Sequence, residues 1–160
     1  MVKIVADSTC DLSPEILKAM DITLMPIIIT VDDKPYRDWV DITPEDIFRY
    51  VEKEGKSCKT AALNSYEYAE FFKQFAGDYE AVIHISLSSG LSSCCHNAAL
   101  AASEFKNVFT VDSKNLSTGS GHVVYEAAEM ARAGMKAEQI CEALNELTGR
   151  VEASFVIDKL

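Results

Sequence analysis

The residues best placed to do chemistry in this sequence are hydroxyls. Ser86, Ser88, Ser89, Ser92 and Ser93 follow an apolar run at residues 81–85 and precede a small-residue segment at 98–102. This reads as a buried strand, a polar turn and a helix whose start Ser92 could cap. A helix start presents unpaired backbone N–H groups and about half a unit of positive charge. A small anion can settle there without an Arg or Lys. Two further apolar runs, residues 2–6 and 108–111, end in Asp7-Ser8-Thr9 and Asp112-Ser113-Lys114. Lys114 is the only cation in these three loops.

Such a set suits few reactions. A serine hydrolase needs a GxSxG elbow with a His and its carboxylate, and Ser89-Gly90 with His84, His96 and His122 does not supply one. Neither GxGxxG nor GxxxxGK[ST] occurs; Gly119-Ser120-Gly121 comes nearest and reads as a tight turn at a close strand–helix contact. No His or Cys pair has metal-ligand spacing, and Asp7 and Asp112 read as residues that orient turns. No metal and no cofactor are therefore expected. Cys94 and Cys95 sit where a helix start can lower a thiol pKa, so one alternative is a phosphoryl- or acyl-transfer enzyme using Cys94, His96 or Asp112. The principal reading is a pocket of neutral donors for one carboxylate, with an apolar tail on the ligand to match aliphatic and aromatic lining.

Composition narrows the partners. Against 15 basic residues stand 25 acidic ones, a formal charge of -10, which disfavours nucleic acid and anionic membranes alike. No window approaches the ~18 apolar residues of a membrane span. The Cys count, 5, is odd and without framework spacing, as expected of free thiols in a reducing cytoplasm.

The elements that must position the hydroxyls follow from periodicity. Residues 2–6 form a central strand, and Ser13-Pro14 caps a short helix carrying Ile16, Leu17 and Met20. A β-branched run at 22–31 is broken by Pro26, which implies an edge or bent strand. Asp32-Asp33 then turns it back toward Tyr36, a β-hairpin excursion near residues 26–38 that also carries Trp39. Thr43-Pro44 and Asn64-Ser65 open two more helices, the second with the stripe Tyr68, Phe71, Phe72 and Phe75, a core face or the lining of an apolar tunnel. Residues 56–63 read as a loop between them. A loop at 115–121 leads to a helix through Val123 and Val124, a last helix covers 137–147, and a strand begins at 152–157. The alternation predicts an α/β fold with a parallel sheet and helices on both faces, its ligand crevice at the carboxyl ends of the strands.

Five stretches in order carry a resemblance: Asp7-Ser8-Thr9-Cys10-Asp11-Leu12, Lys59-Thr60-Ala61-Ala62-Leu63-Asn64, Ser88-Ser89-Gly90-Leu91-Ser92-Ser93-Cys94, Val111-Asp112-Ser113-Lys114 and Gly119-Ser120-Gly121. They resemble the ordered motifs of the DegV family of bacterial fatty-acid-binding proteins. The resemblance implies a non-catalytic carrier whose long-chain fatty acid is held through its carboxylate by Thr60 and Ser92, and which can present that acid to a partner fatty-acid kinase. Ser93, Asp7, Ser8, Asp112 and Ser113 would form the supporting rim. Where the family usually has Thr-Ser-Gln-Pro-Ser and Leu-Ser-Gly-Thr, this chain has Thr60-Ala61-Ala62-Leu63-Asn64 and Leu91-Ser92-Ser93-Cys94. The family pattern also implies a division into an N-terminal domain, residues 1–150, and the start of a second domain at 151–160 that is otherwise absent. A third reading follows from that division: a half-domain that binds no ligand.

Overall fold

The computed structural model describes residues 1–156. Strands β1 (Val2–Asp7), β2 (Ile22–Met25), β6 (Ala81–Ser86) and β7 (Val108–Asp112) form a parallel sheet in the order β2-β1-β6-β7. Strands β3 (Ile28–Val31), β4 (Lys34–Arg37) and β5 (Cys58–Ala61) form a separate antiparallel sheet in the order β4-β3-β5. The helices are α1 (Pro14–Ala19), α2 (Pro44–Phe48), α3 (Ser65–Ala76), α4 (Cys94–Ala102), α5 (Ser117–Arg132) and α6 (Ala137–Thr148).

The central strands β1 and β6 are apolar on both faces because helices cover both. Ile4, Ala6, Ile83 and Ile85 pack with Val123, Val124 and Ala127 of α5 and Ile140 and Leu144 of α6. Val5 and Val82, pointing the other way, pack with Tyr68 and Phe72 of α3 and Ala98 and Ala101 of α4. Each fully buried aliphatic side chain contributes about 1.5–3 kcal/mol. The sheet is thus clamped from both sides, and its strand ends are fixed.

The apolar run 22–31 divides at Pro26, which has no N–H to continue a ladder. Its first half, β2, is the edge strand of the parallel sheet, and its second half crosses to the smaller one. The β3–β4 hairpin turns at Asp32 and Asp33, with φ of 46° and 67°. Those left-handed values are the ones a two-residue turn of matching twist demands.

Three expectations are corrected. Residues 58–61 are strand β5, paired antiparallel with β3 so that Thr60 faces Ile29 across the ladder. Its Cys-Lys-Thr-Ala sequence has no apolar alternation because it is a largely exposed edge; the partner strand, not its own pattern, makes it a strand. Gly119-Ser120-Gly121 lies inside α5, which begins at Ser117. The glycines permit a close helix contact and form no turn: a Cβ on Gly121 would run into the carbonyl oxygen of Cys10. Residues 151–156 form neither helix nor strand, since no described strand lies alongside to complete a ladder; the remainder of that expected strand, Ile157, lies outside the described residues.

Gly121→Ala should therefore destabilise the fold by about 1–3 kcal/mol, the usual range for overpacking. A lower midpoint in urea unfolding with an unchanged slope is the expected reading; an unchanged midpoint would refute the contact.

Candidate functional site: a hydroxyl-lined cleft

At the carboxyl end of β1 lies the buried side chain of Asp7. Its Oδ1 accepts a hydrogen bond from the Tyr68 hydroxyl at 2.8 Å and lies 3.0 Å from His84 Nε2. Its Oδ2 accepts from the Ser86 hydroxyl and the Leu87 amide, both at 2.9 Å. Burial pushes the carboxyl upward, but the field and hydrogen bond of His84, the Leu87 amide and the Tyr68 hydroxyl outweigh it and hold Asp7 below its ordinary 3.8. The Tyr68 hydroxyl is pushed up by burial and by Asp7. Asp7 is therefore a strut beneath the rim and not a group on it.

The next loop residues are similarly committed. The Ser8 hydroxyl donates to Asp38 Oδ2 at 2.6 Å and accepts from the Ile27 amide at 3.2 Å, joining β1 to the crossing between the two sheets. Asp112 accepts from the Ser89 amide and hydroxyl, at 3.2 and 2.6 Å, and from the Lys114 amide at 2.9 Å. Ser113 is buried and exchanges hydrogen bonds with the backbone of Asn115. Asp7, Ser8, Asp112 and Ser113 thus hold the loops in shape.

What opens to solvent is a cleft of about 540 Å³ bordered by Thr60, Ser92 and Ser93 on its polar side and by Ile27, Leu87, Leu91 and Leu116 among its apolar residues; Thr9 also borders it, but its hydroxyl oxygen is shielded from solvent. Thr60 comes from β5 and Ser92 from the loop before α4, so residues far apart in sequence meet here. The Asn97 side chain donates to the Leu63 carbonyl at 2.7 Å and ties the end of the β5 connection to α4. Ser88 fixes the other wall, receiving the Leu91 and Ser92 amides at 3.0 and 3.2 Å. Ser92 does not occupy the cap position expected of it. The cap is Ser93, whose side chain makes no capping bond, while the Ser92 hydroxyl accepts from the Cys94 amide at 3.2 Å. One of the amides expected to face an anion is thereby engaged by Ser92 itself.

The structure also decides between readings that the sequence left open. The Tyr68, Phe71 and Phe72 rings are buried in the core and do not line the cleft, whose apolar border is aliphatic. Cys94 is 1% exposed. Cys95, far from being activated, is pushed up to about 11 by burial and by Asp112 and Asp7. His96 is exposed on α4, and the Asp112 carboxylate is engaged as above. His84 uses Nε2 on Asp7, while its buried Nδ1 has no partner. No group of three potential metal-ligating side chains occurs among the described residues, and no described helix is long and apolar enough to cross a membrane. Among the cleft-bordering residues that the sequence patterns did not single out as site residues are Thr9, Ile27, Leu87, Leu91 and Leu116. For Thr9 the available signal was its place in the same strand-end loop as Ser8.

A parallel sheet covered by helices on both faces, with a hydroxyl-bordered cleft at its strand ends and a small antiparallel sheet beside it, defines the class: an α/β domain with a second, antiparallel sheet. The chain belongs to the DegV family, whose model, described as "Uncharacterised protein, DegV family", matches residues 1–160. A DegV domain-containing protein of Staphylococcus aureus is 35% identical over 98% of this chain and 56% of its own length. One from Clostridium perfringens is 29% identical over 99% and 58%. The chain thus spans a little over half the length of these relatives. Among solved structures, a Thermus thermophilus DegV family protein described by its fatty-acid binding superposes with a TM-score of 0.84 at 29% identity, covering 92% of this chain and 53% of that one. Bacillus subtilis DegV, described as a fatty acid binding protein, gives 0.86 at 26%, over 92% and 54%. A stearic acid-binding protein from Eubacterium ventriosum gives 0.80 at 29%, over 91% and 52%.

Asp7→Asn replaces a pure acceptor with a group whose amide would face donors. It should cost about 3–5 kcal/mol, as breaking a buried charge-assisted network does. Because the folded-state pKa lies below the unfolded one, ionised Asp7 adds stability that is complete above roughly pH 4 and lost as pH falls through the lowered value. Urea unfolding at neutral and acid pH should show a shallower acid loss in Asp7→Asn than in the parent; equal slopes would remove Asp7 from this role.

Proposed function

We propose that this chain binds one long-chain fatty acid, its carboxylate held by Thr60 and Ser92 beside the start of α4 and its acyl chain against the aliphatic wall. The observation that carries this reading is the meeting of Thr60 and Ser92 in one cleft with an apolar side. The fatty-acid binding described for the similar solved structures supports it. Hydroxyls and helix-start amides complement a single negative charge, and an acyl chain gains from leaving water. The α4 start also brings Ser93, whose exposed hydroxyl is uncommitted by capping.

In this reading the protein is a cytoplasmic, non-catalytic carrier, with residues 1–150 as the domain that holds the head group. It presents the acid to a partner kinase that phosphorylates the carboxyl group. The burial of Cys94, the raised Cys95 thiol and the engaged Asp112 favour the carrier over the transfer enzyme.

Native mass spectrometry of protein purified from cells should show an added mass matching a fatty acid; a bare chain after gentle purification counts against the proposal. The double variant Thr60→Ala, Ser92→Ala should weaken oleate binding by about 2–4 kcal/mol, taking ~1–2 for each hydrogen bond to a charged group. Isothermal titration measures this, and unchanged affinity would place the head group elsewhere.

A further inference from the structure

We infer that a second groove, edged by Trp39, is a docking site for a basic segment of a partner protein, anchored by one aliphatic side chain between Lys or Arg residues. The groove holds about 220 Å³ and is bordered by Ser8, Leu12, Pro14, Leu17, Leu24 and Trp39, none of which borders the hydroxyl-lined cleft. Small-molecule pockets run to roughly 300–1,000 Å³, so this volume matches a single inserted side chain better than a whole ligand. Trp39, the one tryptophan of the chain, is 52% exposed, and its neighbour Val40 is 57% exposed. Trp is among the residues most enriched at the energetic centres of protein contacts.

The loop that carries Trp39 is held at a cost. Its φ of 59° lies in the left-handed region, which a bulky side chain rarely adopts. The Arg37 amide and guanidinium both donate to Asp41, and the Trp39 amide donates to the Ile42 carbonyl at 3.0 Å. A backbone fixed in this way loses little further freedom when a partner docks. Charge names the occupant. Asp11 precedes Leu12, Glu15 follows Pro14 and Asp38 precedes Trp39, so a carboxylate adjoins three of the bordering residues. Burial and the nearby Asp11 charge push Asp38 up from its ordinary 3.8, although it accepts the Ser8 hydroxyl. Arg37 is engaged by Asp41, and among the described residues Asp11, Glu15 and Asp38 form no ion pair. An unneutralised acidic rim beside an apolar slot complements an aliphatic residue flanked by cations, one of which can stack on the Trp39 ring. A second copy of this chain brings the same rim and the same formal charge of -10, and an anionic membrane is repelled likewise.

The test uses Trp39 as its own reporter. Its fluorescence is followed at low salt while the chain is titrated with the capped peptides Arg-Lys-Leu-Leu-Lys-Arg, Arg-Lys-Gly-Gly-Lys-Arg and Glu-Asp-Leu-Leu-Asp-Glu, and with phosphatidylglycerol vesicles. Only the first peptide should shift the emission to the blue, and saturably. The double variant Asp11→Asn, Glu15→Gln should weaken that binding about fivefold, as the loss of two exposed charge contacts does, and added salt should weaken binding to the parent chain. Both positions are exposed, and Asn tolerates the left-handed φ of 50° at residue 11, so the fold is kept. Trp39→Gly, which suits a positive φ, should leave the chain folded and abolish binding of the first peptide in isothermal titration; if it unfolds the chain, the double variant decides. No saturable response to the first peptide overturns the inference, as does an equal response to either control peptide. A response to the vesicles alone assigns the groove to a lipid surface, and dimerisation in sedimentation equilibrium that Trp39→Gly abolishes assigns it to a second copy; either result overturns it. Oleate binding at the hydroxyl-lined cleft stands or falls separately from all of these.

Discussion

A single buried carboxylate organises the strand ends from which the cleft is made. Asp7 ends the central strand and receives hydrogen bonds from α3 through Tyr68 and from the end of β6 through Ser86 and Leu87, with His84 at its side. A charge removed from water is costly unless its lone pairs are occupied, so these groups have to converge for the chain to fold at all. The convergence fixes the direction in which the polypeptide leaves β6. The serine loop and α4 inherit their position from it.

From that strut the remaining loops follow as a chain of local commitments. Ser8 reaches across to Asp38 and Ile27 and so links the parallel sheet to the smaller one. Asp112 and Asn115 hold the serine loop from the β7 side, through Ser89 and Ser88. Most of the hydroxyls at this rim serve the fold, because each one turned inward satisfies a backbone or carboxylate group that has no access to water. Those left for a ligand are few, and they come from separate elements. Asp7 and Asp112, the two acidic groups of these loops, are both engaged by neighbouring donors, whereas Thr60 and Ser93 stay exposed at the cleft.

The aromatic residues show the same economy of roles. Tyr68, Phe71 and Phe72 belong to the core between α3, α4 and the sheet, where their area is worth most when fully buried. The cleft is bordered instead by Ile27, Leu87, Leu91 and Leu116. Aliphatic walls of this kind suit a flexible acyl chain, since they offer contact without directional demands.

Much of the fold was legible in the sequence, for reasons that are local. The continuous apolar runs of β1 and β6 announce strands covered on both faces, Ser13, Thr43 and Asn64 announce helix starts through their own side chains, and Asp32-Asp33 announces the hairpin. The motifs also pointed to Thr60 and Ser92, which border one cleft. What periodicity could not reveal was any feature defined by a distant neighbour. Strand β5 exists because β3 lies beside it, and the glycines of α5 are explained by contacts with Cys10, Asn115 and Ala153. The sequence by itself determined the central buried strands and where several helices would begin, because continuous apolar runs and capping side chains are properties of short segments. Only the tertiary structure decided which hydroxyls remain free, because that depends on which donors and acceptors from other segments have already reached them. Asp7 and Thr9, two residues apart, show the difference: one is surrounded by partners and the other has none.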